Sequence, residues 1–281
     1  MYRIHADMSF IVTAADARYE RTLWQMLRSA ERHGLENNHQ FVAFDLGMTP
    51  RGRAAIERRF PWCALEQFAF ERHPPHVGRL VSCAWKPLAI REVIVRGPSL
   101  LLWLDSATLF HSSLAPVFER IACDGLFTLV GQSPMTTWCH PSTLVWMQVP
   151  ESDLGKRCRF GGAVGFNGES AIARELLDRW CECALSEACI DPPGANRQNH
   201  RYDQAVLTAL LYAFEREGRL TLRDDEVDIS SCHPARWFST RNKVAAWLPV
   251  ACDGLSRGYY AAYKAADRAV LRIRRSGLVD D

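Results

Sequence analysis

The feature that most constrains this chain is an uninterrupted apolar segment that ends on a single carboxylate. Residues 100–104 are Leu-Leu-Leu-Trp-Leu, Asp105 follows at once, and Gly97-Pro98 stands upstream. An apolar run of this length is typical of a strand buried on both faces of a parallel sheet. Because open α/β sheets bind ligands at the carboxyl ends of their strands, Asp105 lies where a binding site is expected. A strand-terminal Asp that only stabilises a turn or the next helix is an equally good interpretation of this segment.

Segments of strand and helix character alternate along most of the chain. The predicted strands cover residues 9–15, 40–46, 100–105, 125–131 and 163–167, and the predicted helices cover 19–30, 51–59, 88–95, 172–184 and 206–214. Alternation of this kind predicts an α/β fold in which helices cover both faces of a mostly parallel central sheet. A polar loop over residues 191–201 precedes the last helix, and loops in that position usually hold ligands.

Composition narrows the class of protein. With 281 residues and 48% hydrophobic content, the chain can bury one large core, and no linker or repeat marks an interior domain boundary. A formal net charge of +2 is too small to favour nucleic acid as a partner. The ten cysteines show no C-x-x-C spacing, and the chain has neither a signal-peptide pattern nor a run long enough to span a membrane. We therefore expect a cytoplasmic protein.

The end of the first predicted strand is a second candidate site. It carries two small residues, Ala14 and Ala15, followed by Asp16 and, three positions later, Tyr19. Small side chains let a ligand approach the backbone, a carboxylate can accept from a base N–H, and a tyrosine can stack on a base. The structural interpretation, a helix-capping Asp and a core Tyr, is the better one from this segment taken alone. The chain has no G-x-G-x-x-G after this strand and no P-loop motif, which argues against dinucleotide enzymes and P-loop enzymes.

Several segments, taken in order, resemble retaining glycosyltransferases of the glycogenin and bacterial lipopolysaccharide galactosyltransferase family, which is family 8-like. They are Phe10-Ile-Val-Thr-Ala-Ala-Asp16-Ala-Arg-Tyr19, Trp85-Lys86-Pro-Leu, Leu102-Trp-Leu-Asp105-Ser106-Ala107, Phe160-Gly161-Gly162-Ala-Val-Gly-Phe-Asn167 and Tyr202-Asp203-Gln204. The resemblance implies the GT-A fold, a nucleotide-sugar-binding αβα sandwich with a mostly parallel central sheet. It also implies transfer of a sugar, with retention, from a UDP-sugar to a hydroxyl acceptor, usually with Mn²⁺.

The resemblance also assigns roles to residues. Asp16 and Tyr19, beside Ala14 and Ala15, would hold the uracil base, and Asp105, followed by Ser106 and Ala107, would contact the ribose and a metal ion. Arg79 and Lys86 would face the sugar or the diphosphate. Asp203 and Gln204 would be the catalytic pair. Asp203 would bind the donor sugar or the acceptor hydroxyl, and Gln204 would lie beside the anomeric carbon. Asp203 also stands where a helix begins, so capping is its structural alternative.

Two departures from the family pattern weaken the expected metal site and sugar contact. Ala107 replaces the second carboxylate of an Asp-x-Asp motif, and a methyl group cannot coordinate Mn²⁺ or Mg²⁺. Either Asp105 holds a weaker ion, with a doubtful contribution from His233, or the site works without metal and Arg79, Lys86, Arg241 or Lys243 neutralise the phosphates. Gly161 and Gly162 stand where the family has Asn and a small residue, so backbone groups or Gln132 would have to supply the missing sugar contact.

Three further expectations concern boundaries, alternatives and partners. The GT-A domain is expected over residues 8–255, followed by a basic, aromatic tail over 256–281 that could touch the inner membrane face or pack as a plain final helix. The acceptor is expected to be a glycan, a lipid-linked molecule or a small molecule. The alternatives to a glycosyltransferase are a non-catalytic nucleotide-sugar-binding protein and a nucleotidyltransferase on a similar fold. If the reaction inverts, Asp203 would be its general base.

Overall fold

The computed structural model describes residues 9–97, 99–223 and 237–239. In these residues the strands are β1 Ser9–Ala15, β2 Gln40–Asp45, β3 Cys63–Gln67, β4 Leu100–Leu104, β5 Leu109–Phe110, β6 Leu126–Pro134, β7 Arg157–Asn167 and β8 Phe238–Ser239. The α-helices are α1 Glu20–Arg32, α2 Pro50–Arg59, α3 Trp85–Ile94, α4 Ala115–Asp124, α5 Met135–Trp138, α6 Pro141–Trp146, α7 Ala171–Leu185, α8 Glu187–Ile190 and α9 Tyr202–Arg216. Short 3₁₀ turns lie at Leu35–Asn37, Phe70–Arg72, Pro75–Gly78, Leu80–Ser82 and Glu151–Asp153.

Six of the strands form one sheet in the order β3-β2-β1-β4-β7-β6. The pairs β3·β2, β2·β1 and β1·β4 are parallel, whereas β7 runs antiparallel to both of its neighbours. It follows that β6 runs in the same direction as β4, so β7 is the single reversed strand of this sheet. The predicted mostly parallel sheet is confirmed. The carboxyl ends of β1, β2, β3 and β4 consequently lie along one edge.

The core lies on both faces of this sheet, as the apolar segment before Asp105 predicts. Along β4, Leu101 and Trp103 belong to the hydrophobic cluster that includes α3, α7 and α9, whereas Leu102 and Leu104 belong to the cluster that includes α1 and α4. Successive side chains of a strand point to opposite faces, so a strand covered on both faces must be apolar at every position.

The elements that were predicted differ from the observed ones mainly at their ends, but strand β3, helix α4 and the shorter elements β5, β8, α5, α6 and α8 were not predicted. The helix expected at 88–95 begins at Trp85, and the strand expected at 163–167 begins six residues earlier, at Arg157. Helix α1 ends before Gly34, which adopts a left-handed φ of 62° and so supplies the predicted stop. No helix within the described ranges is long and apolar enough to cross a membrane. The predicted boundary at 255/256 and the tail over 256–281 lie outside the described residues.

Candidate functional site

A cleft of about 560 Å³ opens at the carboxyl ends of β1 and β4. Its lining includes eight of the residues predicted from the sequence, namely Ala14, Ala15, Asp16, Tyr19, Lys86, Asp105, Ser106 and Ala107. These residues come from three separate segments of the chain, which the parallel pairing of β1 with β4 and the packing of α3 bring together. The cleft therefore lies at the sheet edge where an open α/β fold is expected to bind its ligand.

The turn after β1 holds Asp16 in place and leaves Tyr19 open to the cleft. Asp16 Oδ1 accepts hydrogen bonds from the backbone N–H groups of Arg18 at 2.9 Å and of Tyr19 at 3.2 Å. Asp16 thus stabilises the turn before α1, but it is not the helix cap that the structural interpretation proposed, because Tyr19 occupies that position. Tyr19 is 46% exposed, so the alternative of a core tyrosine is wrong.

A mostly buried ion cluster lies at the floor of the cleft, and two of its members, Lys86 and Asp105, line the cleft, whereas Asp203 does not. Lys86 Nζ lies 2.7 Å from Asp203 Oδ2, 3.3 Å from Asp105 Oδ1 and 3.0 Å from the carbonyl oxygen of Gly161, to which it donates. The side chains of Lys86 and Asp203 are only 5% and 8% exposed, whereas that of Asp105 is 44% exposed. We call Lys86, Asp105 and Asp203 the ion triad. Its members come from the start of α3, the end of β4 and the start of α9.

One ammonium group cannot neutralise two carboxylates at once, and the pKa values reflect this imbalance. Burial by itself lowers the pKa of Lys86, but Asp105 and Asp203 outweigh that effect and raise it, so Lys86 stays protonated. Burial raises the pKa of Asp203, and Lys86 opposes the shift while Asp105 adds to it. The raised pKa means that Asp203, which is shielded from water, binds a proton more readily than an ordinary aspartate.

Aromatic residues position the exposed carboxylate of the triad. Trp103 Nε1 donates to Asp105 Oδ1 at 3.0 Å, and the Lys86 ammonium lies 5.6 Å from the centre of a Trp103 ring. The rings of Trp85 and Trp103 are 5.8 Å apart and tilted relative to each other. Asp105 is thus held by its neighbour two residues earlier in the strand, and the interpretation as a simple turn residue does not account for these contacts.

Gly161 and Gly162 let the backbone of β7 approach both carboxylates. A Cβ atom at Gly162 would lie 2.7 Å from Asp105 Oδ2, and one at Gly161 would lie 3.1 Å from Asp203 Oδ2. Asp105 N also donates to the carbonyl oxygen of Gly162 at 2.9 Å. The two glycines therefore lie against the triad and do not line the cleft itself. Their role in this chain follows from close packing, because neither has a side chain to contact a sugar.

Asp203 does not cap α9. The residue at the cap is Arg201, without a side-chain hydrogen bond to the helix, and Asp203 lies in the first turn with its side chain directed to Lys86. Within the described residues Asp203 Oδ2 has no directed hydrogen bond, although it is buried and in ion contact. Gln204 follows, and its Oε1 lies 3.5 Å from the backbone nitrogen of Gly161. The capping alternative for Asp203 is therefore corrected.

Two residues next to the triad have strained backbones. Cys83, three residues before Lys86, has a φ of 51°, and Tyr202, next to Asp203, has a φ of 44°. Non-glycine residues rarely adopt this left-handed conformation, and it concentrates at functional sites because packing there must hold it. The strain marks the starts of α3 and α9, which carry two members of the triad.

The structure corrects the expectation for Arg79, and it adds two arginines that were not predicted. Arg79 does not line the cleft, because its guanidinium pairs with Glu187 and with Asp191, the latter at 3.0 Å. Arg18 and Arg197 do line it. Arg197 belongs to the 191–201 loop, which the sequence singled out as a ligand loop without indicating which of its residues would face the ligand.

The described residues do not form a binding site for Mn²⁺ or Mg²⁺. At the expected position Asp105 provides one carboxylate, whose Oδ1 already faces Lys86 and Trp103, and Ala107 provides no ligand. In the described ranges no three His, Cys, Asp or Glu side chains are grouped so that they could hold a metal ion. His233, Arg241 and Lys243 lie outside the described residues.

The sequence matches no family model and no curated protein. Among solved structures, the chain is similar to the galactosyltransferase LgtC in complex with donor and acceptor sugar analogues, with 17% identity over 72% of this chain and 70% of that chain and a TM-score of 0.45. It is also similar to an active-site mutant of LgtC, with 15% identity over 92% and 95% of the two chains and a TM-score of 0.48. Mouse xyloside xylosyltransferase 1 matches with 11% identity over 80% and 86% and a TM-score of 0.45.

Since all three TM-scores are below 0.5, the fold is assigned from this chain's own strands and site. Its sheet has one reversed strand, helices on both faces, and a cleft at the carboxyl ends of β1 and β4. These features define an α/β sandwich with a mostly parallel central sheet, as the sequence predicted.

Proposed function

We propose that this chain is a glycosyltransferase that moves a sugar from a nucleotide donor, a UDP-sugar, to a hydroxyl acceptor with retention of configuration. The observation that carries the proposal is the ion triad of Lys86, Asp105 and Asp203. Lys86 and Asp105 line the floor of the cleft whose rim holds Asp16 and Tyr19, and Asp203 pairs with Lys86. A charged catalytic floor beside an aromatic rim suits a ligand with a reactive sugar at one end and a flat base at the other.

The rim supports binding of the base. Tyr19 presents an exposed ring, and the small residues Ala14 and Ala15 leave room for a ligand to lie against the end of β1. A stacked aromatic ring contributes about 1 kcal/mol beyond the area that it buries. We place the uracil against Tyr19, with Asp16 beside it.

The triad supports the transfer step. The bond between the anomeric carbon and the phosphate oxygen breaks, and its electron pair leaves with the diphosphate. The acceptor hydroxyl oxygen bonds to the anomeric carbon from the same face, and its proton goes to the departing phosphate oxygen. Positive charge that develops on the sugar is stabilised by the Asp203 carboxylate, whose burial places its charge in a region of low dielectric constant. Gln204 lies next to it, and its amide oxygen accepts a hydrogen bond from the backbone N–H of Gly161.

The experiment is a screen of nucleotide sugars for release of free nucleoside diphosphate, repeated with the Asp203→Asn variant. Asparagine keeps the size and shape of the aspartate side chain but removes its charge. We expect turnover to fall by orders of magnitude while the melting temperature stays near that of the parent. The matched control is Asp178→Asn, an exposed position on α7 outside the cleft, which should leave turnover unchanged. Near-parental activity of Asp203→Asn would overturn the assignment.

The same screen separates the other functions. A non-catalytic binding protein would be stabilised by a nucleotide sugar without releasing product. A nucleotidyltransferase would release pyrophosphate from a nucleoside triphosphate and a sugar phosphate. The anomeric configuration of the product, measured by NMR, distinguishes retention from inversion, and inversion would make Asp203 the general base.

A further inference from the structure

The cleft contains two cationic side chains whose charge nothing in the described protein offsets. Its lining includes Arg18, Lys86 and Arg197. Lys86 is already surrounded by the carboxylates of Asp105 and Asp203. Within the described ranges, by contrast, neither the Arg18 nor the Arg197 guanidinium has a carboxylate within 4 Å.

Elsewhere in the protein, several partly or fully exposed arginines are paired. Guanidinium groups form ion pairs with carboxylates at Arg53, Arg59, Arg96, Arg219 and Arg223. Two arginines that line one cleft and lack such partners are therefore available to an anion from outside. The guanidinium fork matches the geometry of phosphate oxygens and donates to two of them at once.

Structured turns hold both arginines in place. Arg18 lies in the turn that Asp16 Oδ1 closes by accepting from two backbone N–H groups. In the 191–201 loop, Asn196 Oδ1 accepts from the backbone N–H of Gln198 at 2.9 Å, and Asn199 Nδ2 donates to the carbonyl oxygen of Gly194 at 3.1 Å. Arg197 is thus carried by a loop with its own internal hydrogen bonds, which reduces the entropy that binding must remove.

The base of the same loop is anchored by a buried histidine. His200 Nδ1 accepts from the backbone N–H of His140 at 3.0 Å, so Nε2 carries the proton and donates to the carbonyl oxygen of Ile190 at 3.1 Å. Burial lowers the pKa of His200 to about 4, which keeps the ring neutral and this donor pattern intact near neutral pH. These hydrogen bonds fix the end of the loop that carries Arg197.

We propose that Arg18 and Arg197 bind the diphosphate of the nucleotide donor, so that donor binding does not require a divalent cation. Ala107 removes a metal ligand at the position where the resemblance expects one, and the triad offsets the charge of Lys86. Among the described residues that line the cleft, these two arginines are therefore the cations left for the phosphates. When the sugar leaves, the charge that grows on the diphosphate meets donors that are already in place. The identity of the ligand as a nucleoside diphosphate rests on the proposed function, whereas the anion site rests on the arginines.

The test measures equilibrium binding by calorimetry to the full chain in excess EDTA, and then after EDTA is replaced by Mn²⁺. The ligands are UDP, uridine and inorganic pyrophosphate, and the variants are Arg18→Ala and Arg197→Ala. The matched control is Arg58→Ala, an exposed arginine at the end of α2 that does not line the cleft. Circular dichroism and melting temperatures check that each variant is folded.

We expect UDP to bind in EDTA, and each cleft variant to weaken UDP and pyrophosphate binding by about 10-fold or more, because charge-assisted hydrogen bonds are lost. Uridine affinity should stay within about 2-fold, since uridine has no phosphate for these donors. Arg58→Ala should bind all three ligands as the parent does.

The remaining outcomes separate this inference from the proposed function. If Mn²⁺ strengthens UDP binding 10-fold or more, or the cleft variants bind UDP as the parent does, the inference is overturned and the glycosyltransferase proposal stands. If pyrophosphate binding depends on the two arginines but no nucleotide binds, the anion site stands and the proposed function fails. If neither UDP nor pyrophosphate binds the parent protein, both are overturned.

Discussion

Replacing Lys86 by methionine tests the ion triad most directly. Methionine has nearly the length and shape of lysine but lacks the ammonium, so Lys86→Met removes one charge with little change in packing. The substitution leaves Asp203 buried without the cation 2.7 Å away, and leaves the carbonyl oxygen of Gly161 without its 3.0 Å donor. Asp105 is nearly half exposed and can be hydrated instead.

The expected loss follows from burial. Removing one partner of a buried ion pair costs about 3–5 kcal/mol, because the other charge stays uncompensated in a region of low dielectric constant. Only Asp203 meets that condition here, so we expect Lys86→Met to lower the free energy of unfolding by about 3 kcal/mol at pH 7. Adding Asp203→Asn removes the orphaned charge, and the double variant should recover most of that loss.

The loss should also depend on pH, with a defined sign. Burial already raises the pKa of Asp203, and without Lys86 nothing nearby opposes that shift. A carboxyl with a higher pKa in the folded than in the unfolded state binds its proton more tightly when folded, so the protein gains stability as the pH falls through the folded-state value. The difference between Lys86→Met and the parent should therefore shrink between pH 7 and pH 5.

Urea denaturation followed by tryptophan fluorescence measures these free energies. The control is Lys156→Met, whose partner Asp153 keeps a second cation in Arg216, so this change should cost no more than about 1 kcal/mol at either pH. A loss below about 1 kcal/mol for Lys86→Met at pH 7, or a loss that does not change with pH, would refute the description of the triad as a buried ion cluster.

Three further predictions rest on other contacts. Gly162→Ala should destabilise the protein by about 1–3 kcal/mol in urea denaturation, because its Cβ would lie 2.7 Å from Asp105 Oδ2 and closer still to the Phe160 ring. The control Gly155→Ala has open space, and equal midpoints for the two variants would contradict the packing argument. Burial lowers the pKa of His200 to about 4, so stability is fully present above the unfolded-state value of about 6.5 and falls by up to about 3 kcal/mol as the pH drops from there to 4. His200→Gln should flatten the melting temperature between pH 7 and 4.5, and an unchanged slope would count against it. Tyr19→Ala should weaken UDP binding about fivefold in calorimetry through lost stacking, whereas unaltered affinity would move the base away from Tyr19.

Local sequence pattern was enough to predict five of the six strands of the central sheet. The apolar segment 100–104 indicates a strand covered on both faces because its burial is a property of the segment itself, and the structure divides its side chains between two hydrophobic clusters. Gly34 predicts the end of α1 for a similar reason, since a left-handed residue is needed there whatever packs around it. The beginning of β7 was missed because its first residues pair with β6 through an irregular register that no local period reveals.

Some residues of the candidate site could likewise be predicted from local sequence, and others could not. Asp16, Tyr19 and Asp105 could be placed at the sheet edge from the sequence, because each follows a recognisable strand by a fixed short distance. Asp203 could not be told from a helix cap, since capping and ion pairing favour the same residue type at the same position.

Only the tertiary structure decided which charges meet. The fold brings Lys86 and Asp203 together although more than a hundred residues of sequence separate them. It also pairs Arg79 with Glu187 and Asp191, whereas Arg197 lines the cleft. Arg79 and Arg197 both lie in segments that connect longer elements, and no local sequence pattern shows which of the two faces the cleft. Whether a guanidinium is available to a ligand depends on which carboxylates the rest of the chain brings within a few ångströms of it, and that is settled by packing over the whole fold.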